Sequence, residues 1–343
     1  MATPVNIEDI TPAWLSQALG TPVRDLSATR VGTGQIGTCY RLRMDGDRTV
    51  LAKLPAADPA ARDMMAGAYR GEVRFYQQLA ATVAARVPAC HHAEMSPDSG
   101  DFVLLLEDLA SHRPGDQLAG CTVDQAREAV VNLAGLHGPR WSDPTLLEVE
   151  GLSLNGAEDA ALLAELYGPA TELFLEELGE LVSPEDADTL RACVAVCEQW
   201  ALARADRFAL VHGDYRLDNL MFPADGSAGV VAVDFQTLSL ALPARDLAFF
   251  LGTSLLPADR RSHERDLVAA YHAALTPYGV ADYSVDQTFD DYVFAMLQGP
   301  LVAVFGCAYG ARTERGDRMF AAMVTRSCTA IRDLGTLGLV RGS

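Results

Sequence analysis

The sequence predicts an α+β fold with two lobes that share a cleft. The N-terminal lobe is expected to be a small antiparallel β-sheet with one helix, and the C-terminal lobe to be larger and mainly helical. The chain has 343 residues, of which 49% are hydrophobic, so it can bury a sizeable core. Strand-like alternation fills the first part of the chain, whereas helical spacing dominates from residue 122 onward. We therefore expect lobes at 1–110 and 111–343, divided within the Gly- and Pro-containing segment 109–121.

The N-terminal lobe begins with a short helix expected within residues 1–20, with Thr11 as a candidate N-cap. The segment 38–44, "TCYRLRM", alternates apolar and polar residues and predicts a strand. "DGD" at 45–47 is a turn signal typical of a β-hairpin, so "RTVLAKL" should return as the second strand. Helical spacing follows over 59–82, and "DFVLLLEDL" predicts a further strand.

Strand-like runs interrupt the helical C-terminal part at 209–212 and 229–235. The most apolar run is 292–310, which contains Gln298 and Pro300 and lacks flanking basic residues. These features favour a kinked, buried core helix over a membrane span.

The formal charge of −19 disfavours nucleic acid and anionic membranes as partners. A cationic substrate would suit this charge, although acidity also keeps proteins in solution. We therefore expect neither nucleic acid nor a membrane as a partner, and a chain that is a monomer or a homodimer.

The seven cysteines are scattered and include no C-x-x-C, which is typical of small core residues in a reducing cytoplasm. Cys193 and Cys197 share a helix face, which favours packing over metal binding. The segment "MATPVNIEDITPAWL" has neither a basic nor an apolar signal region, so we expect a cytoplasmic protein.

"GTGQIG" at 32–37 places Gly32, Gly34 and Gly37 in a G-x-G-x-x-G pattern. A dinucleotide-binding fold would need a helix directly after these glycines. A β-hairpin is expected instead, which favours a glycine-rich loop that folds over nucleotide phosphates, since glycine allows the backbone to approach closely.

Lys53 lies within the apolar strand "VLAKL", where a charge is costly unless it is paired. An edge-strand lysine facing solvent is one interpretation. The other places its ammonium on the α- and β-phosphates, with Glu72 of the following helix as the carboxylate that holds it. Leu51 should share the face of Lys53 and could cover an adenine ring. Backbone groups near Glu107 and Leu109, where "LLLEDL" ends, are candidates for the base edge.

The stretch "VHGDYRLDNLMF", 211–222, sets a polar loop between apolar flanks. Asp214 and Asn219 show D-x-x-x-x-N spacing, and Asp234 follows the apolar run of "VVAVDFQ". Mg²⁺ prefers carboxylate and amide oxygens together with water, so Asn219 and Asp234 are candidate ligands. Asp214 could then orient an acceptor hydroxyl and accept its proton.

These motifs resemble the aminoglycoside phosphotransferase and choline kinase superfamily, small-molecule kinases of protein-kinase-like fold that carry His-Gly-Asp in the catalytic loop. "DFQ", "LLLEDL" and "KLP" look closest to the ecdysteroid kinase-like and choline kinase-like branch. "HGDYRLDN" is also similar to hydroxyacyl-CoA kinases. The resemblance runs from the glycine loop to "PARDLAFFL". It implies ATP, or GTP, and Mg²⁺ as cofactors, and leaves the acceptor open among antibiotic, steroid-like, amino-alcohol and hydroxyacyl compounds.

The resemblance also implies residue roles. Asp214 is the base, Asn219 and Asp234 are the metal ligands, and Lys53 with Glu72 forms the phosphate-binding pair. Arg216 could stabilise transition-state charge, or could form a salt bridge to a nearby acid.

Further positions of the resemblance concern support and regulation. His212 is expected to brace the loop, and Asp246 of "PARDLAFFL" to support it by hydrogen bonding. Gln236 stands where protein kinases have glycine, which argues against an activation-loop switch and for constitutive activity.

The acceptor pocket is expected among the C-terminal helices. Asp286, Asp290 and Asp291 in "SVDQTFDDY" could grip an ammonium group, but a solvated helix start is the favoured interpretation. Trp141 is expected to be a core residue. The sequence leaves two functions open: an active small-molecule kinase and a catalytically weak nucleotide-binding relative.

Overall fold

The computed structural model of the chain describes residues 3–32 and 37–342. These form two compact units, which are described separately. The first comprises Met1–Thr82, Val87–Arg113 and Val233–Leu238; the second comprises Val83–Arg86, Pro114–Ala232 and Ser239–Ser343. The predicted boundary between the lobes, at residues 110 and 111, stays a prediction.

The first unit is built on a five-stranded antiparallel sheet with strand order β1-β2-β3-β5-β4. Its strands are β1 (Leu26–Val31), β2 (Gly37–Met44), β3 (Arg48–Pro55), β4 (Cys90–Met95) and β5 (Phe102–Glu107). Helix α1 (Pro12–Leu19) begins as predicted at Thr11, whose hydroxyl accepts a hydrogen bond from the Trp14 amide at 3.2 Å. Trp14 and Leu15 pack with Leu42, Ala52 and other sheet residues into the core of this unit.

The hairpin between β2 and β3 turns at Asp45 and Gly46, as "DGD" predicted. Both residues have positive φ, 44° and 99°, the pair of left-handed conformations that a type I′ turn requires. The turn sets Met44 opposite Arg48, and this register carries through to Gly37 opposite Pro55.

The predicted helix over 59–82 is interrupted. It forms α2 (Pro59–Met64) and α3 (Ala66–Arg74), followed by a π-helical turn at Phe75–Leu79 and a 3₁₀ turn at Ala80–Thr82. Met65 lies between the helices with φ −92° and ψ 1°, outside helical geometry. Side-chain spacing does not reveal such a break, because the apolar face continues across it.

The second unit is mainly helical, as predicted. Its helices are α4 (Val123–His137), α5 (Ala157–Leu178), α6 (Pro184–Val194), α7 (Cys197–Leu202), α8 (Ala244–Ser254), α9 (Pro257–Leu275), α10 (Val285–Phe294), α11 (Gln298–Tyr309), α12 (Glu314–Leu334) and α13 (Thr336–Arg341). Cys193 and Cys197 are buried, consistent with packing.

Short strands flank the polar loop of this unit. They are β7 (Ala209–Val211), β8 (Leu220–Pro223), β9 (Val231–Ala232) and β10 (Ser239–Ala241), and β6 (His112–Pro114) precedes them in the chain. Strand β7 pairs with β10, and β8 pairs with β9, in both cases antiparallel. The two strand-like runs predicted in this part of the chain are therefore present as β7 and β9.

The apolar run near the C-terminus is a broken helix. The segment Val285–Tyr309 is long and apolar enough to cross a membrane, but 67% of its most apolar window is buried inside the protein. A 3₁₀ turn at Ala295–Leu297 separates α10 from α11, just before Pro300, which has no amide hydrogen to continue the helical ladder. The predicted kinked, buried helix is confirmed.

Candidate active site

Strand β3 places Lys53 by simple alternation. Val50, Ala52 and Leu54 point into the core of the first unit, so Leu51 and Lys53 lie on the opposite face, as predicted. Lys53 is also the only lysine in the sequence, because every other residue among the 27 Lys and Arg is arginine. That composition was a signal for this site which our sequence interpretation had not used.

The Lys53 ammonium bonds two carboxylates. Its Nζ lies 2.7 Å from Oε2 of Glu72 on α3 and 3.0 Å from Oδ1 of Asp234. The predicted Lys53–Glu72 pair is therefore present. The Glu72 side chain is 1% exposed and that of Asp234 is 40% exposed, so one carboxylate is enclosed by protein and the other faces outward. Two acids around one base leave a net negative charge beside an accessible carboxylate.

Burial and the two neighbouring carboxylates have opposite effects on the pKa of Lys53. Burial favours the neutral amine, but Asp234 and Glu72 outweigh it and hold the pKa of Lys53 well above its usual range. Burial raises the pKa of Glu72, and the Lys53 ammonium opposes that shift. Directly across from Lys53 on β2, burial raises the pKa of the Cys39 thiol to about 11, so it stays protonated at neutral pH.

The "DFQ" segment forms a tight turn. Asp234 has φ 70° and ψ 69°, a left-handed conformation that is uncommon outside Gly, Asn and Asp. Phe235 stacks on Phe75 with ring centroids 3.7 Å apart and planes 7° from parallel. Gln236 is buried, and its Nε2 donates to Oε2 of Glu72 at 3.3 Å, while its Oε1 is buried without a hydrogen-bond partner among the described residues. Gln236 therefore ties the turn to the carboxylate that holds Lys53.

The glycine segment joins two antiparallel strands, since β1 pairs with β2. A helix does not follow Gly37, which removes the dinucleotide-fold alternative. Gly32 has φ 72°, and a Cβ on Gly37 would lie 2.8 Å from the Leu54 carbonyl oxygen, so both positions require glycine. Gly34 lies outside the described residues.

The end of β5 carries the residues predicted near the base edge. The Glu107 carboxylate accepts a hydrogen bond from the Ala89 amide at 3.1 Å. The Leu109 carbonyl accepts one from the His112 amide at 2.9 Å. Asp108, between them, pairs with Arg41 at 2.7 Å. These contacts fix the segment, and contact of Glu107 and Leu109 with a base stays a prediction.

In the second unit, Asp246 on α8 anchors the loop after β7. Its carboxylate accepts the amide hydrogens of His212, at 2.6 Å, and Gly213, at 2.9 Å. His137 lies 3.3 Å from the same carboxylate. His212 is fully buried, and its Nδ1 accepts a hydrogen bond from the Asp214 amide at 3.3 Å. The expected bracing by Asp246 and His212 is present.

The Asp214 carboxylate is held by two neighbours. Asn219 donates through Nδ2 to Oδ2 of Asp214 at 2.8 Å and to its backbone carbonyl at 2.9 Å. Arg216 donates through Nε to Oδ1 at 2.9 Å and to Oδ2 at 3.1 Å. The five-residue spacing thus brings Asp214 and Asn219 together. Because Nδ2 of Asn219 bonds Asp214, Oδ1 is the other polar atom of the Asn219 side chain.

Arg216 belongs to a wider network of ion pairs, so the salt bridge to a nearby acid that was one of its two interpretations is present. Its Nη1 lies 3.1 Å from Asp218 and 3.0 Å from the Met319 sulfur on α12. Arg315, near the start of α12, bonds both oxygens of Asp218, at 2.8 and 2.9 Å. Burial disfavours the Arg216 cation, but Asp214 and Asp218 outweigh it and raise its pKa.

Gln117 supports the loop in a way that sequence interpretation missed. It is fully buried, its Oε1 accepts the Leu217 amide hydrogen at 2.8 Å, and its backbone amide donates to Asp218 Oδ1 at 3.2 Å. The residue lies in a Gly- and Pro-containing segment that predicted only a linker. No local pattern connects it with a loop about a hundred residues later.

The acids at the start of α10 are mostly engaged within the protein. Asp291 is 1% exposed and pairs with Arg204 and Arg207, and the Tyr283 hydroxyl donates to it at 3.0 Å. Asp290 also pairs with Arg204, at 2.7 Å.

Trp141, which was expected in the core, is only half-buried. Its ring centroid lies 4.9 Å from that of Tyr283, so it packs at the edge of the unit.

The fold is the predicted α+β, two-lobed protein-kinase-like fold, and known proteins support the assignment. A Ralstonia eutropha protein described as an aminoglycoside phosphotransferase is 18% identical, with TM-score 0.56 over 94% of this chain and 97% of that chain. Choline kinase from Cryptosporidium parvum Iowa II is 8% identical, with TM-score 0.56 over 92% and 91%. A spectinomycin phosphotransferase, solved with ADP and spectinomycin, is 10% identical, with TM-score 0.50 over 96% and 99%.

Within this class, the model of the ecdysteroid kinase-like family matches residues 160–278. The predicted resemblance to the aminoglycoside phosphotransferase and choline kinase superfamily, and to its ecdysteroid kinase-like branch, is therefore confirmed. No curated protein sequence matches the chain significantly.

Proposed function

We propose that this protein transfers the γ-phosphate of ATP to a hydroxyl group of a small molecule. The observation that carries the proposal is the Lys53 ammonium, which bonds the enclosed carboxylate of Glu72 and the accessible carboxylate of Asp234. Enclosing the Lys53 ammonium and the Glu72 carboxylate costs desolvation energy that packing alone does not recover, which supports a functional role for the pair.

The residues divide the work as follows. Lys53 binds the α- and β-phosphates, and Glu72 holds Lys53 in position. Asp214 orients the acceptor hydroxyl and accepts its proton, and Arg216, which contacts Asp214, places positive charge where negative charge develops. Leu51 and the backbone near Glu107 and Leu109 are proposed to receive the base, and Gly32 and Gly37 to cover the phosphates. GTP is the alternative nucleotide that the resemblance implies.

The donor set fits magnesium. Asp234 supplies an accessible carboxylate, and Asn219, whose Nδ2 is committed to Asp214, supplies an amide oxygen. Mg²⁺ takes one or two such protein ligands and completes its shell with water and phosphate oxygens. When bound, the ion would neutralise charge on the phosphate oxygens.

The test compares Asp214→Asn with Asp234→Asn. ATP consumption is first screened across aminoglycosides, choline, steroids, nucleoside antibiotics and hydroxyacyl-CoA to find an acceptor. Asp214→Asn should lower turnover by ~10²–10⁴-fold and leave magnesium-dependent nucleotide binding intact. Asp234→Asn should weaken that binding as well as turnover. Calorimetry with a non-hydrolysable nucleotide, with and without Mg²⁺, separates the two.

Asp188→Asn is the control, because Asp188 is an exposed acid of α6 and the same charge is removed. If Asp214→Asn abolishes nucleotide binding and Asp234→Asn does not, the two roles are reversed. If neither variant slows turnover with a known acceptor, the phosphotransfer proposal is wrong.

One observation favours the alternative of a catalytically weak nucleotide-binding protein. Arg216 Nε donates to both oxygens of Asp214, and Asn219 donates to one of them, so the acceptor hydroxyl must compete for this carboxylate. Nucleotide binding with normal affinity, together with no ADP formation for any acceptor in the screen, would support this alternative.

A further inference from the structure

An open cavity of about 420 Å³ lies at the surface of the second unit, beside α12. Most of its lining is carbon: Leu118, Leu181, Pro257 and Ala322 contribute apolar surface. Two guanidinium groups, those of Arg318 and Arg326, line the same cavity. Such a combination would suit a ligand with an apolar body and a charged group.

Arg326 is a buried cation without a carboxylate partner. It is 7% exposed, and its Nη1 donates to the carbonyls of Gln117, at 2.8 Å, and Thr253, at 2.9 Å. Its Nη2 donates to the Leu118 carbonyl at 2.6 Å. Carbonyls satisfy its hydrogens but do not cancel its charge, and burial lowers its pKa. The cavity therefore lies against a buried positive charge that no carboxylate among the described residues contacts directly, although the more distant Asp116 favours the cation.

Arg318 is the second cation. It is exposed, and within the described part of the chain it makes no ion pair or hydrogen bond. The chain holds 46 Asp and Glu residues against 27 Lys and Arg residues, so an anionic ligand needs a local excess of positive charge in order to bind. Arg318 and Arg326 bring two guanidinium groups to one cavity, and neither forms an ion pair within the described part of the chain.

We propose that this cavity binds a small molecule with an apolar body and one anionic group, a carboxylate or a phosphate. The apolar body lies against Leu118, Leu181 and Ala322, and the anionic group meets Arg318, with the field of Arg326 behind it. A guanidinium group suits either anion because its donors match paired oxygens.

Helix α12 connects this cavity with the candidate active site of the same unit. Met319, which contacts Arg216, directly follows Arg318 on this helix. This adjacency suits an acceptor whose hydroxyl lies near Asp214 and whose anionic end meets Arg318. This second step, from ligand to acceptor, rests on the proposed function.

Calorimetry on the full chain tests the cavity without any need for turnover. The probes are octanoate and octyl phosphate, with octanol and octylamine as the neutral and cationic counterparts, all below the concentrations at which they form micelles. Arg318→Gln should weaken binding of the two anions by roughly fivefold, the scale of an exposed ion pair. Ala322→Trp should place an indole ring in part of the cavity and weaken binding of both anions.

Arg30→Gln is the matched control, because Arg30 is an exposed arginine of the first unit and the charge change is the same. Thermal unfolding of each variant shows that it is folded. The proposal is wrong if neither anion binds, if octanol or octylamine binds as tightly as octanoate, or if Arg318→Gln and Arg30→Gln behave alike. A difference between octanoate and octyl phosphate identifies which anion is preferred.

ADP formation with an ω-hydroxylated fatty carboxylate then separates the two proposals. If the compound is an acceptor, Arg318→Gln should raise its KM and leave kcat unchanged. If it binds in an Arg318-dependent way but yields no ADP, the cavity is supported and this class of acceptor is excluded from the proposed function.

Discussion

Gln236→Met tests whether the residue after "DF" positions the phosphate-binding lysine. Gln236 donates to Glu72, and Glu72 in turn holds Lys53. Methionine keeps the length of the side chain and removes the donor. We expect a weaker hold on Lys53 and therefore weaker binding of the nucleotide phosphates.

The magnitude follows from the two ends of the Gln236 amide. A hydrogen bond to a charged group is worth about 1.5–3 kcal/mol, and an orphaned buried acceptor costs about 1–3 kcal/mol. Gln236 has both, since Nε2 bonds the Glu72 carboxylate and Oε1 has no partner among the described residues. Methionine removes both, so the free energy of unfolding should change by less than about 1 kcal/mol. Because Glu72 keeps its bond to Lys53, the nucleotide KM should rise roughly tenfold, the lower end of the range that 1.5–3 kcal/mol allows.

The assay measures nucleotide affinity by calorimetry, and KM and kcat once an acceptor is known, next to thermal unfolding. Gln236→Glu sets a second carboxylate against Glu72 and should cause the larger loss. Thr237→Ala, at an exposed position in the same turn, is the control. Unchanged nucleotide affinity in Gln236→Met, or an equal loss in Thr237→Ala, would show that Gln236 does not position Lys53.

Three further predictions follow from the contacts of the two units. Lys53→Ala should weaken nucleotide binding in calorimetry and leave Glu72 and Asp234 without their cation; unchanged kinetics would contradict the role of Lys53. Asp246→Ala leaves the buried amides of His212 and Gly213 without an acceptor, so denaturant titration should show a loss of roughly 3–5 kcal/mol, and a loss below about 1 kcal/mol would contradict this account. Burial would raise the pKa of Asp218, but Arg315 and Arg216 outweigh it and lower that pKa. The Asp218 carboxylate therefore stabilises the fold at pH values above the ordinary aspartate pKa of about 4, and this stabilisation is lost as the pH falls. The Asp218→Asn variant should accordingly be less stable than the natural chain at pH 7, and the difference in stability should shrink in acid. A difference that stays constant with pH would contradict the assignment.

Local patterns predicted the parts of the site that lie on regular elements. Alternation in β3 placed Leu51 and Lys53 on one face, and the nineteen residues to Glu72 span the end of β3, α2 and most of α3. The D-x-x-x-x-N spacing brought Asn219 onto Asp214, because a loop and one 3₁₀ turn span five residues.

Contacts that join distant segments were not predictable in this way. Gln117 supports Leu217 from a hundred residues away, and Arg315 reaches Asp218 over ninety-seven. Such pairs depend on how helices pack, and one sequence does not contain that information. The break in the helix at Met65 was not predicted either, because the spacing of apolar side chains continues across it and does not report the backbone dihedral angles.

The single lysine of this chain makes it a protein with one ε-amine. Reagents and enzymes that modify lysine side chains find only Lys53, which is 9% exposed and held as a cation by two carboxylates. The outer surface, which carries arginine in place of lysine, offers them no other side chain. Acylation of an ε-amine can therefore occur only at Lys53, and a peptide mass map separates it from acylation of the α-amine. A bound nucleotide that covers Lys53 should lower the rate at which its amine is acylated. A substitution that removes its bond to Glu72 should raise that rate.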